Sequence, residues 1–266
     1  MVSHTVLVDK MKRSSIVKTL RGNQSWLNDQ SSQKINLLLQ SDQTLASLER
    51  NYDDTTIPYM AYLKSSSPFC MGTLILSQWV ITAAHCNIPS EIRLGVLQPN
   101  VKEKRQQIRN CSVSIKHPDF NLKNLDNNLM LIKLNKPAHL NKHVGTVALA
   151  LAPSETKRCF IPGWIWTQLN NSSDPDILSW VTHDILPDEE CAKMLPEKMS
   201  ANKMCVGFYD DFISPCQEIS AVPAICDGRI HGILTMSYGC VLQGSGGLFT
   251  KVHKYREWIQ NVTSSF

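Results

Sequence analysis

From residue 57 onward, the chain consists of short apolar runs separated by Pro, Gly and Asn. The runs are rich in β-branched residues, which fit the pleated surface of a sheet. They cover 71–75, 79–82, 129–134, 159–162 and 229–235. Short strands at irregular spacing are typical of all-β barrels or sandwiches, so the pattern predicts an all-β protein.

The last segment follows a helical period. Tyr255, Trp258, Ile259 and Val262 are spaced i, i+3, i+4 and i+7, which places them on one face of a helix. We predict a C-terminal α-helix over about 252–263 that packs on the rest of the domain.

The first fifty residues have a different texture. Residues 1–50 are polar and contain no Cys, and only 33–39 is a candidate short helix. Such a segment buries too little apolar surface to form a packed core. We interpret it as a disordered N-terminal extension, followed by one folded domain over 51–266.

Composition excludes several classes of protein. The chain has 266 residues, of which 42% are hydrophobic and 19% charged, enough for a sizeable core. A net charge of +4 is too small to indicate a nucleic-acid partner. The sequence also contains no run of about 18 apolar residues, so we expect no nucleic-acid partner and no membrane span.

Cysteine is the most informative residue type. The chain has nine Cys and no CxxC pair, which disfavours structural zinc and thioredoxin-like chemistry. Disulfides in an extracellular, oxidising compartment are the better interpretation, and the odd number leaves one Cys over. An intracellular protein with reduced thiols is the alternative.

The N-terminal segment does not match that extracellular location. In residues 1–50 the apolar positions are interrupted by Lys, Asp and Arg, so no secretory signal is visible. Either the protein is secreted unconventionally, or this first segment is not the natural start. We prefer the second interpretation.

Five segments together resemble a known family. Residues 79–86 read W-V-I-T-A-A-H-C, which resembles the histidine segment of trypsin-like serine proteases. Four more segments follow in the family's order. Residues 127–134 resemble the segment of the triad acid, and residues 159–164 resemble the start of the second barrel. Residues 216–223 resemble the serine loop, and residues 250–259 resemble the closing strand and helix. The chain is therefore identified as a member of this family, close to its inactive trypsin-X-type homologues.

The resemblance implies a fold. It implies two antiparallel six-stranded β-barrels, at about 57–150 and 151–250, with the C-terminal helix after them and the site between them. It also implies the disulfides Cys70–Cys86, Cys159–Cys226, Cys191–Cys205 and Cys216–Cys240. Cys111 is then the unpaired thiol, and it lies in one of four glycosylation sequons, at Asn110, Asn170, Asn171 and Asn261.

The same resemblance places the catalytic positions at His85, Asn128 and Ser220. The family has an aspartate where this chain has Asn128, and that carboxylate holds the histidine tautomer and stabilises the imidazolium. An amide that donates to the ring favours the wrong tautomer; in this family's own triad the change is known to lower kcat about 10⁴-fold. Asp126 is a nearby alternative acid.

The serine loop departs further from the family's C-Q-G-D-S-G-G-P. Glu218 replaces the glycine that supplies an oxyanion N–H, and the loss of such a donor costs about 10²–10³-fold in a related case. Ile219 replaces the aspartate that pairs with the new amino terminus after activation. The Ile/Val-Val-Gly-Gly cleavage motif is also absent upstream of Ile57. Both halves of the activation switch are therefore missing, and Ala221 and Val222 replace the two glycines that follow the nucleophile.

The specificity pocket is altered as well. The resemblance builds it from Ser214, Ser237 and Gly247. Ser214 stands where trypsin has aspartate, so selectivity for Arg or Lys is not expected. Ser237 replaces a glycine of the cleft strand, and this predicts a narrower entrance.

These observations lead to two functional hypotheses. The first is a catalytically inactive, extracellular protease homologue that binds a protein partner not identified by the sequence. The alternative is a weak serine endopeptidase that cleaves peptides with a His85/Ser220 dyad. We expect no cofactor and no metal: His139 and His143 have i, i+4 spacing, but they lie in a predicted loop after Pro137.

Overall fold

The computed structural model describes residues 57–65, 69–166, 174–175, 177–207 and 219–266. The candidate helix at 33–39 lies outside these residues. Within them the chain is built mainly of antiparallel strands in two sheets, with two short α-helices.

The first sheet contains seven strands, all paired antiparallel in the order β5-β4-β1-β2-β3-β7-β6. Its two edge strands are separated in the chain only by Asn110, so the sheet curls round until its edges meet at that residue. The strands are β1 (Met60–Lys64), β2 (Cys70–Leu76), β3 (Trp79–Thr82), β4 (Glu91–Leu94), β5 (Gln107–Arg109), β6 (Cys111–Lys116) and β7 (Met130–Leu134).

The second sheet closes on itself. Its order is β12-β9-β10-β11-β14-β13-β8, and β12 also pairs with β13, which joins six strands into a barrel. The seventh strand, β8, runs parallel to β13 at the edge. The strands are β8 (Ala148–Leu149), β9 (Arg158–Ile165), β10 (Ile177–Leu186), β11 (Lys203–Val206), β12 (Pro223–Cys226), β13 (Arg229–Ser237) and β14 (Gly247–Lys251). The predicted all-β double-barrel fold is confirmed.

The helices lie outside the barrels. Helix α1 (Asp188–Met194), which the sequence did not predict, connects β10 and β11. The C-terminal helix α2 (Arg256–Ser265) is confirmed, but the residues before it, Val252–Tyr255, form a 3-10 turn rather than its first α-helical turn. Tyr255 and Ile259 are buried and pack on the core, as the helical period predicts.

Trp164 links the two sheets in the centre of the molecule. This β9 side chain is completely buried in a cluster that includes Met60 and Tyr62 of β1. Its indole N–H donates to the carbonyl of Leu97 at 3.1 Å, and its ring meets that of Tyr62 edge-on, with centroids 5.8 Å apart. Trp164 therefore holds strands of both sheets against each other.

Three disulfides are the same pairs that the family resemblance implies: Cys70–Cys86, Cys159–Cys226 and Cys191–Cys205. Cys240 is also disulfide-bonded, and Cys216, its predicted partner, lies outside the described residues. Among the described cysteines, Cys111 is a free, half-buried thiol. Disulfides at this density are typical of an oxidising compartment.

Candidate active site

The nucleophile and base positions meet where the two sheets face each other. His85 follows the end of β3, and Ser220 precedes β12. A bridge between Cys70 and Ser220 joins these regions, and the Met71 N–H donates to the Ser220 carbonyl at 2.9 Å. As a result, His85 Nε2 lies 3.0 Å from Ser220 Oγ.

Asn128 occupies the third position and is completely buried. Its Oδ1 accepts the backbone N–H of His85 at 2.9 Å, which leaves its Nδ2 facing His85 Nδ1 at 2.8 Å. The hydrogen-bond network thus assigns the orientation of the amide. Because the amide nitrogen is a donor, the imidazole Nδ1 must accept, and the ring proton sits on Nε2. His85 then presents a donor to Ser220 and cannot take up its proton.

The surroundings of His85 also disfavour a charged ring. Burial lowers the pKa of the His85 imidazole, and the positive charge of Lys116 acts in the same direction. Asp126 does not supply the missing countercharge, because its Oδ1 accepts the Ser200 hydroxyl at 2.7 Å while Asn128 contacts the imidazole Nδ1. Among the described residues, no carboxylate therefore contacts an imidazolium at His85.

Thr235 completes the polar contacts of Asn128. Its hydroxyl oxygen lies 3.4 Å from Asn128 Nδ2 and 2.7 Å from the hydroxyl of Thr250. The residue pattern of 229–235 gave Thr235 no role at the site. Only the fold brings it to Asn128, because the two residues are 107 positions apart in the chain.

The backbone N–H of Ser220 already donates a hydrogen bond within the protein. It donates to the carbonyl oxygen of Phe69 at 2.7 Å, which extends the pairing of the two segments. In the catalytic mechanism this N–H must point at the developing oxyanion. Sequence reasoning missed this contact, since a backbone donor carries no residue-type signal.

The neighbours of Ser220 hold the loop in this arrangement. Ile219 is completely buried in an apolar cluster, and its N–H donates to the Trp164 carbonyl at 3.2 Å. Ala221 has a φ of 61°, in the left-handed region that favours glycine, at a cost of about 1–2 kcal/mol for an L side chain. Glu218 lies outside the described residues.

Two of the three pocket positions are neighbours in the structure. Ser237 on β13 is paired with Gly247 on β14. Gly247 is packed so closely that an added Cβ would lie 2.7 Å from Leu234 Cδ1. Ser214 lies outside the described residues, so the arrangement of the base of the pocket stays a prediction.

His139 and His143 do not lie on a helix, so their i, i+4 spacing does not place them on one face. Gln107 instead braces the backbone of His139 by donating to its carbonyl and accepting its N–H. Among the described residues, the one cluster of metal-ligating types is Cys70, His85 and Cys86. Its two sulfurs are joined as a disulfide and are not thiolate ligands.

Comparison with known proteins agrees with this geometry. The sequence model of the Trypsin family matches residues 49–259. Trypsin of Sus scrofa is 40% identical over 213 residues, which cover 79% of this chain and 92% of that protein. The putative trypsin-6 of Homo sapiens is 37% identical over 215 residues, which cover 80% of this chain and 87% of that protein.

One similar relative has a name that states a loss of function. It is the probable inactive serine protease 58 of Bos taurus, 39% identical over 218 residues that cover 80% of this chain and 90% of that protein. The double barrel, with histidine and serine side chains in contact between its sheets, defines a serine-protease fold. With the match over 49–259, the chain belongs to the trypsin family.

Within the described residues, no helix has the length and apolar character needed to span a membrane.

Proposed function

We propose that this member of the trypsin family is catalytically inactive and acts as an extracellular binding protein. The observation that carries the proposal is the hydrogen bond from the Ser220 N–H to the Phe69 carbonyl at 2.7 Å. This bond removes a donor that acyl transfer requires at the oxyanion. It also fills the space beside the serine with a carbonyl oxygen, which repels negative charge.

The contact of Asn128 with His85 removes a second requirement. A productive histidine carries its proton on Nδ1 and accepts the serine proton at Nε2. The amide nitrogen 2.8 Å from Nδ1 favours the opposite tautomer. The reductions in kcat caused by the altered oxyanion site and by the missing acid do not simply multiply, because the catalytic residues act as a unit. Together, even with overlapping effects, they remove most of the rate advantage.

The three disulfides support an extracellular location, because reducing compartments keep cysteine thiols reduced. Proteins of this fold present their loops around a cleft that receives peptide segments. A homologue that keeps the scaffold without the chemistry retains a surface for a protein partner. We therefore assign binding rather than turnover to this chain.

A weak serine endopeptidase is the second candidate. It is favoured by the 3.0 Å contact between His85 Nε2 and Ser220 Oγ, which has the length of a productive hydrogen bond. This hypothesis requires that the Phe69 carbonyl releases the Ser220 N–H when a substrate binds. It also requires the imidazole to change tautomer against the Asn128 amide.

Labelling with a fluorophosphonate probe separates the two functions. Correctly oxidised protein is incubated with the probe, and the modified peptide is identified by mass, with an active trypsin as the positive control. We expect no adduct at Ser220, because the Ser220 N–H is bound to the Phe69 carbonyl and does not reach the phosphoryl oxygen. An adduct that disappears in both Ser220→Ala and His85→Ala would instead establish the endopeptidase hypothesis.

A further inference from the structure

A cavity on the second barrel is separate from the candidate active site. None of its lining residues belongs to the His85–Ser220 site. Its volume is about 510 Å³, which falls among the volumes of small-molecule sites. Its walls come from the end of β10, the start of α1, the middle of β13 and the 3-10 turn that follows β14. These elements all belong to the described part of the domain.

One side of this cavity is basic. Lys251, His253 and Lys254 line it, together with His231 from β13. Asp188 also lines it and forms an ion pair with Lys251. Two lysines against one carboxylate leave the cavity positive even when both histidines are neutral.

His231 is a nearly buried residue that lines the cavity. Only 5% of the residue is exposed, so its imidazole is reached mainly from the cavity. A ligand in the cavity can therefore form a hydrogen bond with a ring nitrogen of His231.

The other side of the cavity is apolar. Ile185 and Met204 contribute to its lining, and Met204 is 5% exposed, so it lies at the deep end. Lys254 is exposed and lies at the mouth. An inorganic anion would leave the apolar wall uncovered, and a neutral apolar ligand would form no hydrogen bond with His231.

We propose that this cavity binds an aromatic ring that carries a sulfate or phosphate ester, as in a modified tyrosine of a partner protein. The ring packs against Ile185 and Met204. The ester oxygens accept hydrogen bonds from His231, Lys251 and Lys254, and such charge-assisted bonds are about twice as strong as neutral ones. The proposal goes beyond the loss of catalysis and does not depend on it.

The first test is isothermal titration calorimetry, in which each probe is titrated into the full-length oxidised chain. The probes are a short peptide with tyrosine O-sulfate, the same peptide with tyrosine O-phosphate, the unmodified peptide and inorganic sulfate. We expect both esters to bind at least about tenfold more tightly than the unmodified peptide. The tighter ester identifies the source of the anionic group.

Two results of this titration would overturn the proposal. If the unmodified peptide binds as tightly as the esters, the basic side of the cavity does not recognise charge. If inorganic sulfate binds as tightly as the sulfated peptide, the apolar side does not recognise the ring.

Variants locate the binding. Lys251→Gln should weaken the sulfated peptide about tenfold, because the Lys251 side chain is only 13% exposed. Lys254→Gln should weaken it about threefold, since exposed charge pairs contribute less, and this exposed position leaves folding unaffected. Lys136→Gln, an exposed lysine outside the cavity, is the matched control. Unchanged affinity in both Lys251→Gln and Lys254→Gln would refute the site.

The pH dependence provides an independent check. Burial lowers the pKa of both His231 and His253, so both imidazoles are neutral near pH 7.5. A bound anion favours their protonated forms, so affinity for the sulfated peptide should increase as the pH falls to about 5.5. The sulfate ester stays ionised over this range, unlike a phosphate ester with a pKa of about 6. The neighbouring charges at His231 are Asp227 and Arg229. Those at His253 are Lys254, Lys251, Asp188 and His231 itself, so protonation of one imidazole opposes protonation of the other.

An affinity that is the same at both pH values would contradict the role of the two histidines. None of these measurements involves Ser220. Failure of the cavity proposal is therefore distinguishable from failure of the proposed loss of catalysis, which depends on fluorophosphonate labelling.

Discussion

Asn128→Asp is expected to raise the pKa of the His85 imidazole, because a carboxylate favours the charged ring, and to move the ring proton from Nε2 to Nδ1. In the native chain the Asn128 amide nitrogen faces Nδ1 at 2.8 Å, and burial lowers the pKa of the ring. A carboxylate at the same place accepts the Nδ1–H and stabilises the imidazolium. The ¹⁵N chemical shifts of the ring, followed against pH, report both changes.

Asn127→Asp is the matched control, because it adds the same charge one residue away. The Asn127 side chain donates to the Asp119 carbonyl and accepts from Asn202 and Tyr255, so it does not contact the imidazole. We expect a much smaller change in the His85 pKa. If the native ring already carries its proton on Nδ1, the role assigned to the Asn128 amide is wrong.

The same Asn128→Asp variant should still resist fluorophosphonate. Correcting the tautomer of His85 leaves the Ser220 N–H bound to the Phe69 carbonyl. The endopeptidase hypothesis predicts the opposite result, a large gain in labelling from this single change. The variant therefore distinguishes a defect confined to the acid from one that includes the oxyanion site.

Trp164→Ala is expected to lower the free energy of unfolding by about 3–5 kcal/mol. The indole is completely buried between strands of the two sheets, contacts Tyr62 and donates to the Leu97 carbonyl. Its removal leaves a cavity and an unpaired carbonyl where the sheets meet. Denaturant unfolding of the oxidised protein measures the loss. The dependence of the unfolding free energy on denaturant concentration should be the same as in the native chain, so that the two free energies can be compared.

Two variants test the location of this effect. Trp164→Phe keeps a buried ring but removes the N–H, so it should cost about 1–3 kcal/mol, the cost of leaving the Leu97 carbonyl without its donor. Trp180→Ala removes a half-buried indole from the neighbouring strand β10 and should cost less than Trp164→Ala. Equal losses at Trp164 and Trp180 would contradict the central packing role of Trp164.

The sequence predicted much of the fold because strands and the last helix leave periodic patterns. Residues 79–82 and 229–235 read as apolar β-branched runs and form β3 and most of β13. Tyr255 and Ile259 kept the helical period that buries them. Helix α1 was missed because it is seven residues long and buries only Cys191, too short a pattern for a periodic signal.

The sequence by itself determined which chemical groups are present at the candidate site. It placed an amide at Asn128 where the family has a carboxylate, and it removed the glycines around Ser220. Residue identity is enough for these conclusions, because a missing charge or an added Cβ needs no coordinates.

Only the tertiary structure decided how those groups are used. It turned the Asn128 amide so that its nitrogen faces His85, and it paired the Ser220 N–H with Phe69, 151 residues earlier in the chain. It also placed Met204, His231 and Lys254 around one cavity. Such contacts join backbone atoms and side chains that are distant in sequence, and their partners follow from the closure of the sheets rather than from local residue patterns.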